Sequence, residues 1–239
     1  MQQYFSEEPI EVNGKYYLTK EQAHHAQVVR LDHETVRVVY NGVGYFGTVL
    51  KEDGKYVVEI TSQDERMNEL KQHITLAVAL IRKEKFEFVL QKATELGVHT
   101  IVPFESSRCV VKVKKEKGDK LYQRWNDIVL TASEQCKRNI VPTITETISM
   151  KNLTQIKSEC NVAAYENAYG NSQLLSQCFD GKQSITIVIG PEGGFSEQEV
   201  VSLQEMGYCP ISLGSRILRA ETASMYAMSV CGEMIEREN

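Results

Sequence analysis

The run Ser184-Ile185-Thr186-Ile187-Val188-Ile189 passes without a break into Gly190-Pro191-Glu192-Gly193-Gly194, and after Phe195 comes Ser196-Glu197-Gln198-Glu199. A short, continuous β-branched run reads as a strand covered on both faces. Three glycines and a proline in five positions end it in a tight turn with exposed amides. Ser-x-x-Glu then opens a helix, with Ser196 as N-cap and Glu199 returning to its amide. Strand, turn and capped helix in that order form one unit of a parallel sheet, whose strands need helical crossovers.

The same alternation starts at residue 73. Ile74–Leu80 reads as a buried strand, and Phe86, Val89, Leu90, Ala93 and Leu96 mark one face of a helix that Gly97 stops. Thr100–Phe104 reads as a strand ended by Pro103, and Asp119–Lys137 as an amphipathic helix carrying Trp125. Asn161–Tyr165 and Ile211–Leu213 are further strands, Gly207 stops the helix that Ser196 opens, and Ala220–Glu238 is the last helix. Residues 1–70 differ. Val36–Tyr40 and the hairpin Gly44–Leu50/Lys55–Ile60 around Asp53-Gly54 read as strands, with one helix at Lys20–Arg30. The polar stretch Ser62–Glu69 separates a small β-barrel, residues 1–70, from an α/β domain, residues 71–239.

Of the 239 residues, 42% are hydrophobic and 25% charged, which excludes a disordered or collagen-like chain. No run approaches the roughly 20 apolar residues of a membrane span. The first residues, Met1-Gln2-Gln3-Tyr4-Phe5, carry neither the basic nor the apolar stretch of a secretory signal. Six scattered cysteines without a CxxC suit free thiols in a reducing cytoplasm, and no spacing suggests a metal site. The net charge of −5 conceals a division: residues 1–70 carry −5, 82–138 carry +5 and 139–239 carry −6. The middle segment is either a polyanion-binding face or a solvated surface.

Leu213-Gly214-Ser215-Arg216-Ile217-Leu218-Arg219-Ala220-Glu221 also follows a strand and opens a helix. Two arginines and a glutamate there face water or a ligand, or Glu221 simply favours the helix dipole. The Gly190–Gly194 turn is either a plain connector or a ligand site. It is neither a P-loop nor a GxGxxG turn. Glu192 makes it better suited to a cationic or neutral ligand than to phosphate. Gly193 is read as the position where a side chain would fill the ligand's space. Both loops open at equivalent strand ends, so one shared pocket is expected.

Ile189–Ser196 with Glu199, followed by Leu213-Gly214-x-Arg216-Ile217-Leu218-Arg219-x-Glu221-Thr222-Ala223, resembles the RsmE family of 16S ribosomal RNA (uracil-N3) methyltransferases, in the SPOUT superfamily. The resemblance extends to Gln91–Val98, Ala132–Arg138, Tyr4-Phe5 and His25 with Val29-Arg30, and so spans essentially the whole chain. Where the family commonly has Gly-Asp after that arginine, this chain has Leu31-Asp32-His33-Glu34. The resemblance implies a PUA-like N-terminal barrel that assists RNA binding and a C-terminal α/β methyltransferase domain with a deep trefoil knot. It implies a homodimer, with each active site near the subunit interface. S-adenosyl-L-methionine is expected to lie among Ala164, Tyr165 and Glu166, Gly190, Pro191, Glu192, Gly193 and Gly194, Leu213, Gly214, Ile217 and Leu218, with Thr222 and Ala223.

The residues suit that chemistry. A sulfonium cation fits a turn bearing Glu192 and carbonyls. Uracil N3 carries a proton on the pairing edge, so the base must be unpaired or extruded and must lose that proton around transfer. A cation near O2 or O4 would steady the anion. Arg219 is the first candidate, Arg216 the second, and Glu221 a candidate base. Arg30, Arg108, Lys112, Lys114, Lys115 and Arg138 are the candidate RNA contacts. The expected partner is 16S rRNA or the small ribosomal subunit, with no membrane and no metal. Two other readings are a SPOUT methyltransferase acting on another RNA site and a non-catalytic, RNA-binding ribosome-assembly factor.

Overall fold

The computed structural model describes residues 1–112, 118–170 and 172–237. The chain forms two compact units, Met1–Glu69 with Ser133–Ile140, and Leu70–Ala132 with Val141–Asn239.

The first unit is a five-stranded sheet in the order β1 (Gln3–Phe5), β3 (Thr35–Tyr40), β4 (Val43–Glu52), β5 (Lys55–Asp64), β2 (Lys15–Tyr17). Only the β1–β3 pair is parallel. Asp53 and Gly54 both take positive φ, as a two-residue hairpin turn requires. Helix α1 runs Lys20–Val28, two residues short of the expected end, because Arg30 adopts a left-handed φ of 58°. Val36, Val38, Val49, Val58 and Ile60 form the core with Tyr4 and Ala26.

Ser133–Ile140 belongs to this unit through buried polar contacts that the local sequence does not announce. Arg37 is 1% exposed. Its guanidinium donates to Asp64 Oδ2 (2.8 Å), Gln3 Oε1 (2.8 Å) and Asn139 Oδ1 (3.1 Å). Asp64 also accepts from Arg66, whose hydrogen bond, with that of Arg37, holds the carboxyl down at about 2 against the cost of burial.

The second unit is a parallel sheet in the order β12 (Cys209–Ile211), β10 (Cys160–Ala164), β11 (Ser184–Ile189), β6 (His73–Ala79), β7 (Thr100–Glu105). Beyond β7 lie the short strands β8 (Thr143–Ile144) and β9 (Ile148–Ser149). Helices cover both faces, and alternate residues of one strand feed opposite cores. Ile74, Leu76 and Val78 pack with α2 (Lys83–Glu95), Trp125 of α3 (Gly118–Cys136), α4 (Leu175–Phe179) and α6 (Ala220–Arg237). Ala77 and Ala79 pack with Leu153 and with Val200 and Leu203 of α5 (Glu197–Glu205).

Two expectations change. Pro103 does not end its strand. It lies inside β7 paired to Val78, and the far edge of β7 is unpaired at that point, between the Ile101–Ile144 and Phe104–Ile148 pairs. A residue without N–H is tolerated where no ladder bond is needed. The last strand is Cys209–Ile211 rather than Ile211–Leu213, since the Ser212 amide leaves the ladder to donate to Ser172 Oγ (3.1 Å).

Candidate active site

All strands of the second sheet run the same way, so β6, β10, β11 and β12 end at one edge. The segments that follow them converge on a single cleft of about 680 Å³. Ala164–Glu166, Gly190–Gly194 and Leu213–Leu218 supply three walls, except that Ser215 is not in contact with the space. The fourth wall is the segment after β6, through Arg82 and Lys85.

The Gly190–Gly194 turn is held from several sides. The Gly194 amide donates to Pro191 O (2.9 Å), and Gly194 adopts a φ of 65°. Arg108 Nη1 donates to Gly193 O at 2.9 Å. At the start of α5, Ser196 Oγ accepts from the Glu199 amide while Glu199 Oε2 accepts from the Ser196 amide (2.9 Å). Glu199 Oε1 accepts from the Ser107 amide at 2.8 Å. Burial pushes the Glu199 carboxyl up, and these amides outweigh it, so it stays below the ordinary range. In the other loop, Ser212 Oγ donates to Gly214 O (2.9 Å), and Gly214 takes a φ of 111°.

Charge is distributed unevenly around the cleft. Lys85 Nζ lies 3.6 Å from Glu192 Oε1 and 3.6 Å from Glu221 Oε1. Arg216 and Arg219 line the cleft and are exposed. Among the described residues neither makes a salt bridge.

Of the residues expected at the cofactor, Ala164, Tyr165, Glu166, Gly190, Pro191, Glu192, Gly193, Gly194, Leu213, Gly214, Ile217, Leu218 and Ala223 all line the cleft. Thr222 does not. It is exposed one position past Glu221. Gly194, not Gly193, holds the left-handed conformation, and a Cβ at Gly193 would meet Arg108 Cβ at 3.4 Å, an ordinary contact. Glu221, expected as a base, is not part of the lining. Its Oε2 is shielded from solvent and has no hydrogen-bond partner among the described residues. Its other oxygen, Oε1, lies 3.6 Å from Lys85 Nζ.

The expected RNA contacts divide. Arg30 and Lys112 are exposed. Lys114 and Lys115 lie outside the described residues. Arg108 is exposed, but its guanidinium bridges the carbonyls of Gly193 and Phe195. Arg138 is withdrawn from solvent at 3% exposure and paired with Glu69, so it braces its unit instead of meeting a phosphate. Sequence reasoning missed Arg82 and Lys85. Both follow β6, and treating that strand end like the other three would have found them.

A family model described as an RNA methyltransferase domain matches residues 68–232. The chain is 34% identical to the Ribosomal RNA small subunit methyltransferase E of Mesomycoplasma hyopneumoniae over 90% of its own length and 93% of the relative's. It is 33% identical to the protein of that name in Bacillus subtilis, over 99% and 98%. A crystal structure of a Ribosomal RNA small subunit methyltransferase E from Neisseria gonorrhoeae, bound to S-adenosyl methionine, superposes with a TM-score of 0.89 at 28% identity. That match covers 98% of this chain and 97% of the other. Among the described residues, no helix is long and apolar enough to cross a membrane, and no group of three or more His, Cys, Asp or Glu could hold a metal ion.

Proposed function

Because this chain belongs to the RNA methyltransferase family, among the Ribosomal RNA small subunit methyltransferase E proteins, we propose that it methylates N3 of a uridine in 16S rRNA with S-adenosylmethionine as donor. One observation carries the reading: the three segments bearing the family motifs wall one cleft, and two arginines stand in its lining.

The residues present fit the donor. A cleft of about 680 Å³ is of small-molecule size. Two of its walls are glycine turns where backbone can approach closely, and Glu192 supplies negative charge. Ala164–Glu166, Gly190–Gly194, Leu213, Gly214, Ile217 and Leu218 would hold the donor, with Ala223 beneath. When bound, S-adenosylmethionine supplies a methyl group on a positively charged sulfur.

The chain's own residues do the rest. They fix the base against the donor, and in an in-line displacement positioning alone is worth several powers of ten. N3 releases its proton to solvent, and the charge left behind spreads onto O2 and O4. Arg219 faces that charge, with Arg216 beside it, and each can donate from a fixed planar fork. The first unit serves as the RNA-side module, PUA-like in the family resemblance, with Arg30 meeting phosphate, and Lys112 of the second unit is a further phosphate contact. The enzyme acts as a homodimer in the cytoplasm, and light scattering of the purified protein should give twice the mass of one chain.

The test is incubation with small ribosomal subunits from a strain lacking this gene, followed by nuclease digestion and nucleoside mass spectrometry. One 3-methyluridine per 16S rRNA is expected. A methyl group on another base would transfer the enzyme to a different RNA site. Donor binding without transfer to any RNA would favour an assembly factor.

A further inference from the structure

Three charged side chains from three separate elements meet beside the cleft. Lys85, in the first turn of α2, places Nζ 3.6 Å from Glu192 Oε1 on the turn after β11 and 3.6 Å from Glu221 Oε1 on α6. Glu192 Oε1 also accepts from the Arg82 amide at 3.3 Å. The Lys85 side chain lines the cleft and keeps 29% of its exposure, whereas Glu221 Oε2 is sealed off.

An ammonium has three donors on a flexible stem. Carboxylates on two sides restrain that stem, and at 3.6 Å neither takes a hydrogen bond from it, so its donors stay available to the cleft. The charge matters as much as the geometry. An isolated lysine would repel a sulfonium donor. Here two carboxylates flank one ammonium, so the cluster carries one negative charge overall while still presenting an N–H. That combination suits a site which binds a cation and steadies an anion in the same space.

We infer that Lys85 is a further catalytic residue, donating to an exocyclic oxygen of the target base as N3 loses its proton. Glu192 and Glu221 are the positioning residues that hold its Nζ. The inference rests on the methyltransferase reading above and adds a third cation to Arg219 and Arg216. Its rival is that Lys85 only neutralises the enclosed Glu221.

Wild type, Lys85→Met, Lys85→Arg and the double variant Lys85→Met/Glu221→Gln separate the two. Each is measured for its thermal midpoint, for S-adenosylmethionine affinity by calorimetry, and for single-turnover methylation at saturating donor and RNA. Lys85→Met is expected to lose ~10²–10³ in the saturated rate, as for one anion-stabilising donor. Its donor affinity should not fall, since the interaction is made in the transition state and removing a positive charge does not weaken binding of a sulfonium. Lys85→Arg should recover much of the rate. The double variant removes the uncompensated buried carboxylate, so it should regain thermal stability and remain slow. The inference is overturned by a normal saturated rate in Lys85→Met, by a loss confined to donor affinity, or by a double variant that turns over like wild type. A wild-type protein inert toward every RNA would instead bring down the methyltransferase reading itself, and Lys85's role with it.

Discussion

Gly194→Ala and Gly193→Ala should behave oppositely although the two positions are adjacent on the same turn. Gly194 sits at a φ of 65°, and a Cβ there would come within 2.8 Å of Glu166 Oε1. An L-residue held in the left-handed region costs roughly 1–2 kcal/mol. The Glu166 carboxylate can swing aside, so the backbone strain is the larger part. Relaxing that strain means leaving the turn geometry that shapes the cleft. At about 1.4 kcal/mol per factor of ten, donor affinity should fall about 5- to 30-fold. The thermal midpoint should fall by only a few degrees, of order 2–4 °C per kcal/mol for a chain of this size. Gly193 carries no such φ, and its added Cβ would make an ordinary 3.4 Å contact with Arg108 Cβ. Gly193→Ala should therefore keep the turn's geometry and a thermal midpoint within about a degree of wild type, as a substitution without a named backbone cost does. Calorimetric titration with S-adenosylmethionine and scanning calorimetry read both quantities. Normal affinity in Gly194→Ala, or greater damage from Gly193→Ala, would refute the reasoning.

Arg37→Met strands Asp64, Gln3 and Asn139 in the first unit. It should cost ~3–5 kcal/mol in urea unfolding, the usual penalty for breaking a buried pair from one side. Asp64, held at about 2, contributes stability above its unfolded value of 3.8, and that contribution should vanish as the pH falls through 2. Glu134 works in the opposite sense. Burial lifts its carboxyl to about 7 against an unfolded 4.5, with Lys137 partly opposing, so wild type should lose stability as the pH rises through that window. Glu134→Gln should raise the thermal midpoint at pH 8 and leave it nearly unchanged at pH 4, and equal effects at both values would reject the assignment.

The second sheet was legible where local chemistry is decisive. Ser184–Ile189 is the observed β11, and the Ser196/Glu199 capping box is formed as read, because a β-branched run and a Ser-x-x-Glu pattern act within a few residues. The three-residue strands β1 and β2 left no periodicity to detect, and each is held by a single neighbour. Pro103 misled because proline is admitted where a ladder edge is open, which depends on the partner strand and not on the proline. His33 takes a left-handed φ of 61°, a backbone demand its own side chain does not signal. The cleft was legible through its glycine turns. The surroundings of Glu221 and Arg138 were not legible, because a charged residue in a motif looks the same whether it faces a ligand or a buried partner. Only the neighbours Lys85 and Glu69 distinguish the two, and they lie 136 and 69 positions away in sequence.

The central claim is that cations in this cleft stabilise a uracil anion during methyl transfer, and Arg219 is the most direct place to test it. Single-turnover methylation of 16S rRNA at saturating RNA and donor should fall ~10²–10³ in Arg219→Ala. Lysine should restore little of that, because a point charge does not replace the planar fork. If Arg219→Ala instead keeps the saturated rate, raises only the RNA concentration needed to reach it, and is rescued by lysine, then Arg219 grips phosphate and the account of the chemistry is wrong.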